Sequence, residues 1–263
     1  MSAEQIEALV ALGKAACQPF DAPEGGKIVV LPDGYRLQHI PPLDEPLTHI
    51  KESPHFSEHA SFVEYLKKYS RDDTCIFANQ SLNNLTAVID YHGKNLPAHC
   101  DHVAHCNLSY ADQWVELNKI SELYVKHVDF AEFIEENAQY IYAPSSAEVL
   151  EMARSLQIKQ TVEFASAVNL ENGAVQIKYM EEQDGKGRGD IEVPRILTFG
   201  LPVFTGSDAV KVTAFLRTRI ANRTLNVTLK VNNKNDIIRH EFQRIAAEIK
   251  NETGVPVYFG LRY

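Results

Sequence analysis

Residues 95–107, NLPAHCDHVAHCN, place His99, Cys100, Asp101, His102, His105 and Cys106 within eight positions, with His92 just upstream. Imidazole nitrogens and thiolates are the ligands of zinc, which takes about four of them, usually from pairs a few residues apart. Cys100-x-His102 and His102-x-x-x-Cys106 are fragments of that pattern. What they can do depends on the element that carries them. On a strand, alternate side chains leave on opposite faces. Cys100, His102, Ala104, Cys106 and Leu108 then share one face, and His99, Asp101, Val103, His105 and Asn107 the other. The face with both cysteines suits a core, because free cysteine behaves as a small hydrophobe. On a helix, His99, His102 and Cys106 would align instead. Gly93 and Pro97 just upstream, and LTAVIDY (85–91) as a hairpin partner, favour the strand. The reading is therefore a half-buried hairpin with no cofactor, and a metal site on Cys100, His102 and Cys106 is the lesser alternative.

A second pattern could bind instead of react. In AVKVTAFLRTRIANRTLNVTLKV (209–231), Lys211, Thr213, Phe215, Arg217 and Arg219 alternate with inward Val210, Val212, Ala214 and Leu216. The next strand turns Leu225, Val227 and Leu229 inward and Asn226, Thr228 and Lys230 outward, with Arg223 at the turn. Basic residues interleaved with an aromatic ring can hold a nucleic-acid backbone and stack a base. Lys211, Phe215, Arg217, Arg219 and Arg223 are the candidate residues. The competing reading is the solvated outer face of an antiparallel sheet, which normally carries Lys, Arg and Thr, and the sequence alone ranks that first.

Other chemistry is missing from the pattern. There is no GxGxxG opening a helix, no GxxxxGK[ST], no HExxH and no GxSxG. DGKGRGD (184–190) is Gly-rich and basic, but it lies between two strands and reads as a hairpin tip, not a phosphate cradle. Glu132, Glu135 and Glu136 read as the solvated face of a helix. Catalytic residues stay unassigned, and the reading leans away from an enzyme.

The elements that must position these residues follow from periodicity. An amphipathic helix over 3–17 precedes a Pro-, Gly- and Asp-rich stretch from Pro19 to Pro54, with a short strand at Lys27 to Leu31. A helix near Glu58 to Tyr69 and strands at 74–78 and 85–91 come next. YADQWVELN and VDFAEFIEENAQYI read as helices, the second with Asp129 as N-cap and Glu132 closing a capping box. SSAEVLEMARSL starts a third on Ser145 and Glu148. From Thr161 the period becomes two, with Asn172-Gly173 as a hairpin signal. A helix over Asp236 to Lys250 and a short VPVYFG strand complete the pattern. The expected class is α+β, mainly antiparallel in the C-terminal half with flanking amphipathic helices. The expected division is an N-terminal helix and arm (1–57) and a body (58–263), with a mixed helical part (58–157) and a β-rich part (158–263).

Bulk properties set outer bounds. The 263 residues, 44% hydrophobic and 23% charged, suit a folded domain with a real core. A net charge of −9 argues against coating nucleic acid or anionic membrane through the overall field, though not against a local basic face. Four scattered cysteines do not make a disulfide framework. Glu4 and Glu7 sit where a signal peptide would be basic, and no stretch approaches the roughly 20 apolar residues of a membrane span. The expectation is a cytoplasmic protein with reduced thiols and no membrane partner.

AVIDYH (87–92), WVELN (114–118), FAEFIEEN (130–137), VEFASAVNLENGAVQIKYMEE (162–182) and LPVFTG (201–206), read together, resemble the prophage protein family named after YfdQ. The His102-Val103-Ala104 step matches that family's HxA, while the additional His and Cys around it do not belong to the pattern. The resemblance spans about residues 75–260. It implies a phage or prophage setting, often among early replication and recombination genes, and brings no catalytic residue with it. The leading expectation is a non-enzymatic protein that self-assembles into a homo-oligomer, its extended N-terminal region contributing to subunit contacts. An accessory protein of phage DNA metabolism that binds nucleic acid through the basic strands comes second. A metal-dependent hydrolase on the His/Cys cluster comes third.

Overall fold

The computed structural model describes residues 2, 4–8, 13, 20–21, 27–28, 49–158, 163–171, 174–181 and 187–261. These fall into two units, 1–49 and 50–263. In the first, residues 4–8 are helical. Ser2 caps them: its hydroxyl accepts from the Gln5 amide at 3.4 Å, and the Gln5 side chain accepts from the Ser2 nitrogen at 3.0 Å. Strands β1 (Phe20–Asp21) and β2 (Lys27–Ile28) pair antiparallel. The rest of the expected 3–17 helix, and most of the Pro-rich stretch, lies outside the described residues.

The second unit is α+β, as the period switch predicts, with three sheets that are mostly antiparallel. The first contains β3 (His55–Phe56), β4 (Cys75–Asn79), β5 (Asn84–Val88), β6 (Val103–Asn107) and a late strand, β15 (Val257–Phe259), in the order β15-β4-β5-β6-β3. β4, β5 and β6 form an antiparallel meander, and β15 and β3 join its two edges in parallel. Helices α1 (His59–Tyr69) and α5 (Lys234–Thr253) pack together beside it. They bury Phe62, Val63 and Leu66, and Phe242, Ile245 and Ile249, at helical spacing.

The second sheet contains β7 (Val125–Lys126), β8 (Ile141–Ala143), β12 (Ile196–Pro202), β13 (Ala209–Ala221) and β14 (Thr224–Val231), all antiparallel, in the order β7-β14-β13-β12-β8. β13 and β14 are joined by the two-residue turn Asn222-Arg223, whose φ values of 51° and 63° match the twist of a hairpin. The inner face carries Leu197, Phe199, Leu201, Val212, Ala214, Leu216, Leu225, Val227 and Leu229, all buried. Helices α2 (Asp112–Glu122) and α3 (His127–Asn137) pack against this sheet, and α4 (Ser146–Ile158) packs on α3. α2 contributes buried Trp114, Leu117 and Ile120. α4 contributes Val149, Met152, Ala153 and Leu156, a complete i, i+3, i+4, i+7 stripe.

β9 (Glu163–Asn169), β10 (Ala174–Glu181) and β11 (Gly187–Pro194) make the third sheet. The β9–β10 pairing is the hairpin signalled by Asn172-Gly173, although those two residues lie outside the described set. Residues 187–190 are a correction: instead of a hairpin tip, Gly187 to Asp190 open β11 and pair with β10 out to Glu181. Small residues hid a strand whose stability comes from its neighbour. Residues 184–186 lie outside the described residues.

Helix starts divide the same way. Ser145 and Glu148 form the expected capping box, with Glu148 accepting from the Ser145 amide at 2.9 Å and the Ser145 hydroxyl accepting from the Glu148 amide at 3.4 Å. Asp129 is not an N-cap. α3 begins three residues earlier than such a cap would place it, at His127, directly out of β7, and Asp129 sits in its first turn, where a carboxylate favours the helix dipole. The position of β7 in the sheet, not the capping pattern, sets that start.

Candidate nucleic-acid interface

The His/Cys segment is a strand only over Val103–Asn107, with His102 in an isolated bridge and Cys100 in the left-handed region, yet the expected alternation of burial runs through it. Cys100, His102, Ala104, Cys106 and Leu108 are buried, and His99, Asp101, Val103, His105 and Asn107 are partly or fully exposed. The three residues of the metal alternative meet different surroundings. Cys106 is fully buried, and burial pushes its thiol up to about 12, so it stays protonated. Cys100 lies at φ 55° with its sulfur 3.6 Å from His92 Nε2. His92 Nδ1 accepts the Ala98 amide at 3.0 Å, which leaves Nε2 as the protonated nitrogen of a neutral ring. That ring presents a donor to the sulfur, not a base.

His102 is 2% exposed, and its Nε2 lies 2.7 Å from the Tyr65 hydroxyl of α1. The Asp90 carboxylate holds the loop ahead of the strand by accepting from the Asp101 and His102 amides at 3.1 and 3.0 Å. Burial lowers the His102 pKa below 6.5, only partly opposed by Asp90 and Glu52, and burial likewise raises that of Tyr65. The pair is a neutral hydrogen bond between α1 and the mixed sheet.

The basic strands are a different matter. Register puts Lys211 opposite Gly200, Phe215 between Ile196 and Lys230, Arg217 opposite Thr228, and Arg219 opposite Asn226. Asn226 is in turn opposite Lys126 of β7. Directly opposed residues share a face. Lys126, Lys211, Arg217, Arg219 and Lys230 therefore stand on one face of one sheet, and all five are exposed. No Asp or Glu occurs in any of the five strands. Among the described residues none of the five cations has a hydrogen bond or ion pair. Half-buried Phe215, exposed Ile196 and exposed Tyr142 add apolar surface between them.

Arg223, at the turn, is exposed, and its guanidinium pairs with Glu163 of β9 at 2.5 Å. One outward residue of the sequence reading is corrected. Thr228 is buried, because its hydroxyl donates to the Ile120 carbonyl at the end of α2 at 2.6 Å. Lys126 and Tyr142, from strands of two and three residues, were outside the sequence pattern altogether.

The conserved-protein family DUF2303, described as uncharacterised, matches residues 2–261. The chain belongs to the DUF2303 family. No curated protein and no solved structure matches the chain. Among the described residues of this DUF2303 protein, no helix is long and apolar enough to cross a membrane.

The buried His102 gives the DUF2303 chain a pH signature. Its folded pKa lies below the unfolded value near 6.5, so below that pH the unfolded state takes up a proton that the native state refuses. The stabilisation is fully present above about pH 6.5 and is lost as pH falls from there toward the folded pKa. The melting temperature is expected to drop between pH 7.5 and 5.5, and more steeply than in His102→Gln. Parallel curves for the two proteins would place the titration elsewhere.

Proposed function

We propose that this protein binds single-stranded nucleic acid along the basic face of the β7-β14-β13-β12-β8 sheet, beside the end of α2 that covers Thr228. One observation carries the reading: five exposed cations, unpaired among the described residues, share a face whose strands contain no carboxylate, in a chain of net charge −9. Segregation of that kind is the electrostatic footprint of a polyanion site. The overall acidity does not cancel it, because charges more than about 10 Å away are largely screened at 0.1 M salt. Phe215 and Tyr142 between the cations favour a single strand, whose bases are free to stack. The resemblance to prophage proteins encoded near replication and recombination genes supports an accessory role in phage DNA metabolism.

The test is a titration of labelled oligothymidylate at several salt concentrations. With five phosphate-neutralising cations, log affinity is expected to fall against log salt with a slope of about −3.5. No binding at 25 mM salt would remove the proposal.

Self-assembly is the second reading, and one observation favours it. Tyr258, Phe259 and Leu261 are each more than half exposed on or beside the edge strand β15, a run of apolar surface that a second copy would cover. Light scattering at micromolar concentration is expected to give a multiple of the 29.6 kDa chain. A monomer would end this reading without touching the first.

A further inference from the structure

We infer that Tyr142, Gly200 and Lys211 form a nucleotide subsite at one end of the basic face, with the Tyr142 ring stacking a base and Lys211 holding its phosphate. The inference rests on the nucleic-acid reading and adds a residue and a position to it. Gly200 is the starting point. It lies in the middle of β12, where glycine is unfavourable unless something approaches the backbone closely. What approaches is Tyr142: a Cβ on Gly200 would lie 1.8 Å from the ring carbon Cε2. The same Cβ would lie 2.7 and 2.8 Å from Cδ2 and Cζ, the distances of a point in the ring plane, so the ring meets the sheet at Gly200 by its Cε2 edge, while the residue as a whole is 72% exposed. An aromatic ring seated by its edge on a backbone, in a residue so exposed, has a face to offer a base, and every base has a face to stack on it.

The charge is placed to match. Lys211 is the residue directly opposite Gly200, so its stem starts about 5 Å from the backbone under the ring. Tyr142, Gly200 and Lys211, with Ala143, Thr198, Ala209 and Val210, line an open cavity of about 440 Å³. Its walls are apolar or neutral, with the one ammonium on its rim and no carboxylate. A planar aromatic group carrying an adjacent negative charge fits those features. The same pairing recurs further along β13, where Phe215 stands directly opposite Lys230. From Lys211 to Arg219 the strand covers roughly 27 Å, so the path begins on Tyr142 and runs through Phe215 to the Arg217–Arg219 end.

The chain has a single tryptophan, Trp114, which is 1% exposed. Tyr142→Trp therefore adds one exposed indole, and its fluorescence is expected to be quenched and shifted on adding oligothymidylate. Tyr142→Ala is expected to lower affinity for the oligonucleotide about 5- to 100-fold with the salt slope unchanged, since no charge is lost. Against an oligonucleotide of abasic sites, wild type and Tyr142→Ala should bind alike. Gly200→Val, which forces the ring off its seat, should reproduce the Tyr142→Ala loss. If wild type binds oligothymidylate and Tyr142→Ala binds it equally well, the subsite is wrong and the basic face stands. If wild type binds no oligonucleotide, both fall.

Discussion

Reversing Arg217 and Arg219 together, as Arg217→Glu and Arg219→Glu, is expected to weaken binding of oligothymidylate by at least about 100-fold at 50 mM salt. The two guanidiniums are exposed and lie two residues apart on the longest strand, flanked across the sheet by Thr228 and Asn226. Replacing them removes two of five cations and adds two anions to strands that hold none. The effective phosphate count drops from about five to about one, so the salt slope should shrink from about −3.5 to near −0.7. Both changes are read in one titration series. The fold should not suffer, because exposed substitutions away from any ion pair usually fall within about 0.5 kcal/mol, and an unchanged melting curve is the control. Unaltered affinity in the folded double variant would show that phosphate does not lie on this face.

Trp114→Ala carries the largest expected loss of stability. The side chain is 1% exposed and among the largest fully buried groups of the molecule, on the α2 stripe with Leu117 and Ile120. Emptying so large a site removes its transfer free energy and leaves a cavity that neighbours fill only in part, at a cost of about 3–5 kcal/mol. Against a total of roughly 5–15 kcal/mol for a domain, that is about a fifth of the margin or more. The substitution also deletes the only tryptophan, so urea unfolding should be followed by far-ultraviolet circular dichroism. A shift in midpoint worth less than about 1 kcal/mol would mean that α2 is not the brace behind the sheet that its burial implies. Trp114→Phe, which keeps a ring in the site, should recover most of the loss.

The sequence made local patterns legible and left long-range neighbours out. Alternation along 103–107 and 209–219 predicted each side chain's face, because a strand's period is fixed by its backbone. Ser145 and Glu148 were readable as a cap because the partners are three residues apart. Asp129 failed with the same pattern, since the entry of the chain from β7 decides where α3 begins. Thr228 failed because the end of α2, more than a hundred residues earlier, covers it. The candidate site shows the same limit. Lys211, Phe215, Arg217 and Arg219 came from one strand, whereas Lys126 and Tyr142 arrive on strands too short to carry a period. The absence of carboxylates was present in the sequence, but only the pairing order shows that those five segments are one surface. One signal for Tyr142 was available: a glycine alone inside the apolar run ILTFGLP, which marks close approach by another group.

The mixed sheet has a consequence for how the chain comes off the ribosome. β4 and its parallel neighbour β15 are separated by most of the unit, with Ile76 opposite Val257 and Ala78 opposite Phe259. During synthesis the β4–β6 meander is complete long before β15 exists, and one edge of it stands open while some 150 further residues emerge. α5, which packs against α1 beside that sheet, arrives equally late. At about 5–20 residues per second the exposed edge persists for about ten seconds or more. A bare strand edge beside unburied Phe62 and Leu66 is a template for pairing with other nascent chains. Maturation of this unit is thus tied to its final strand, and elongation speed sets how long that hazard lasts.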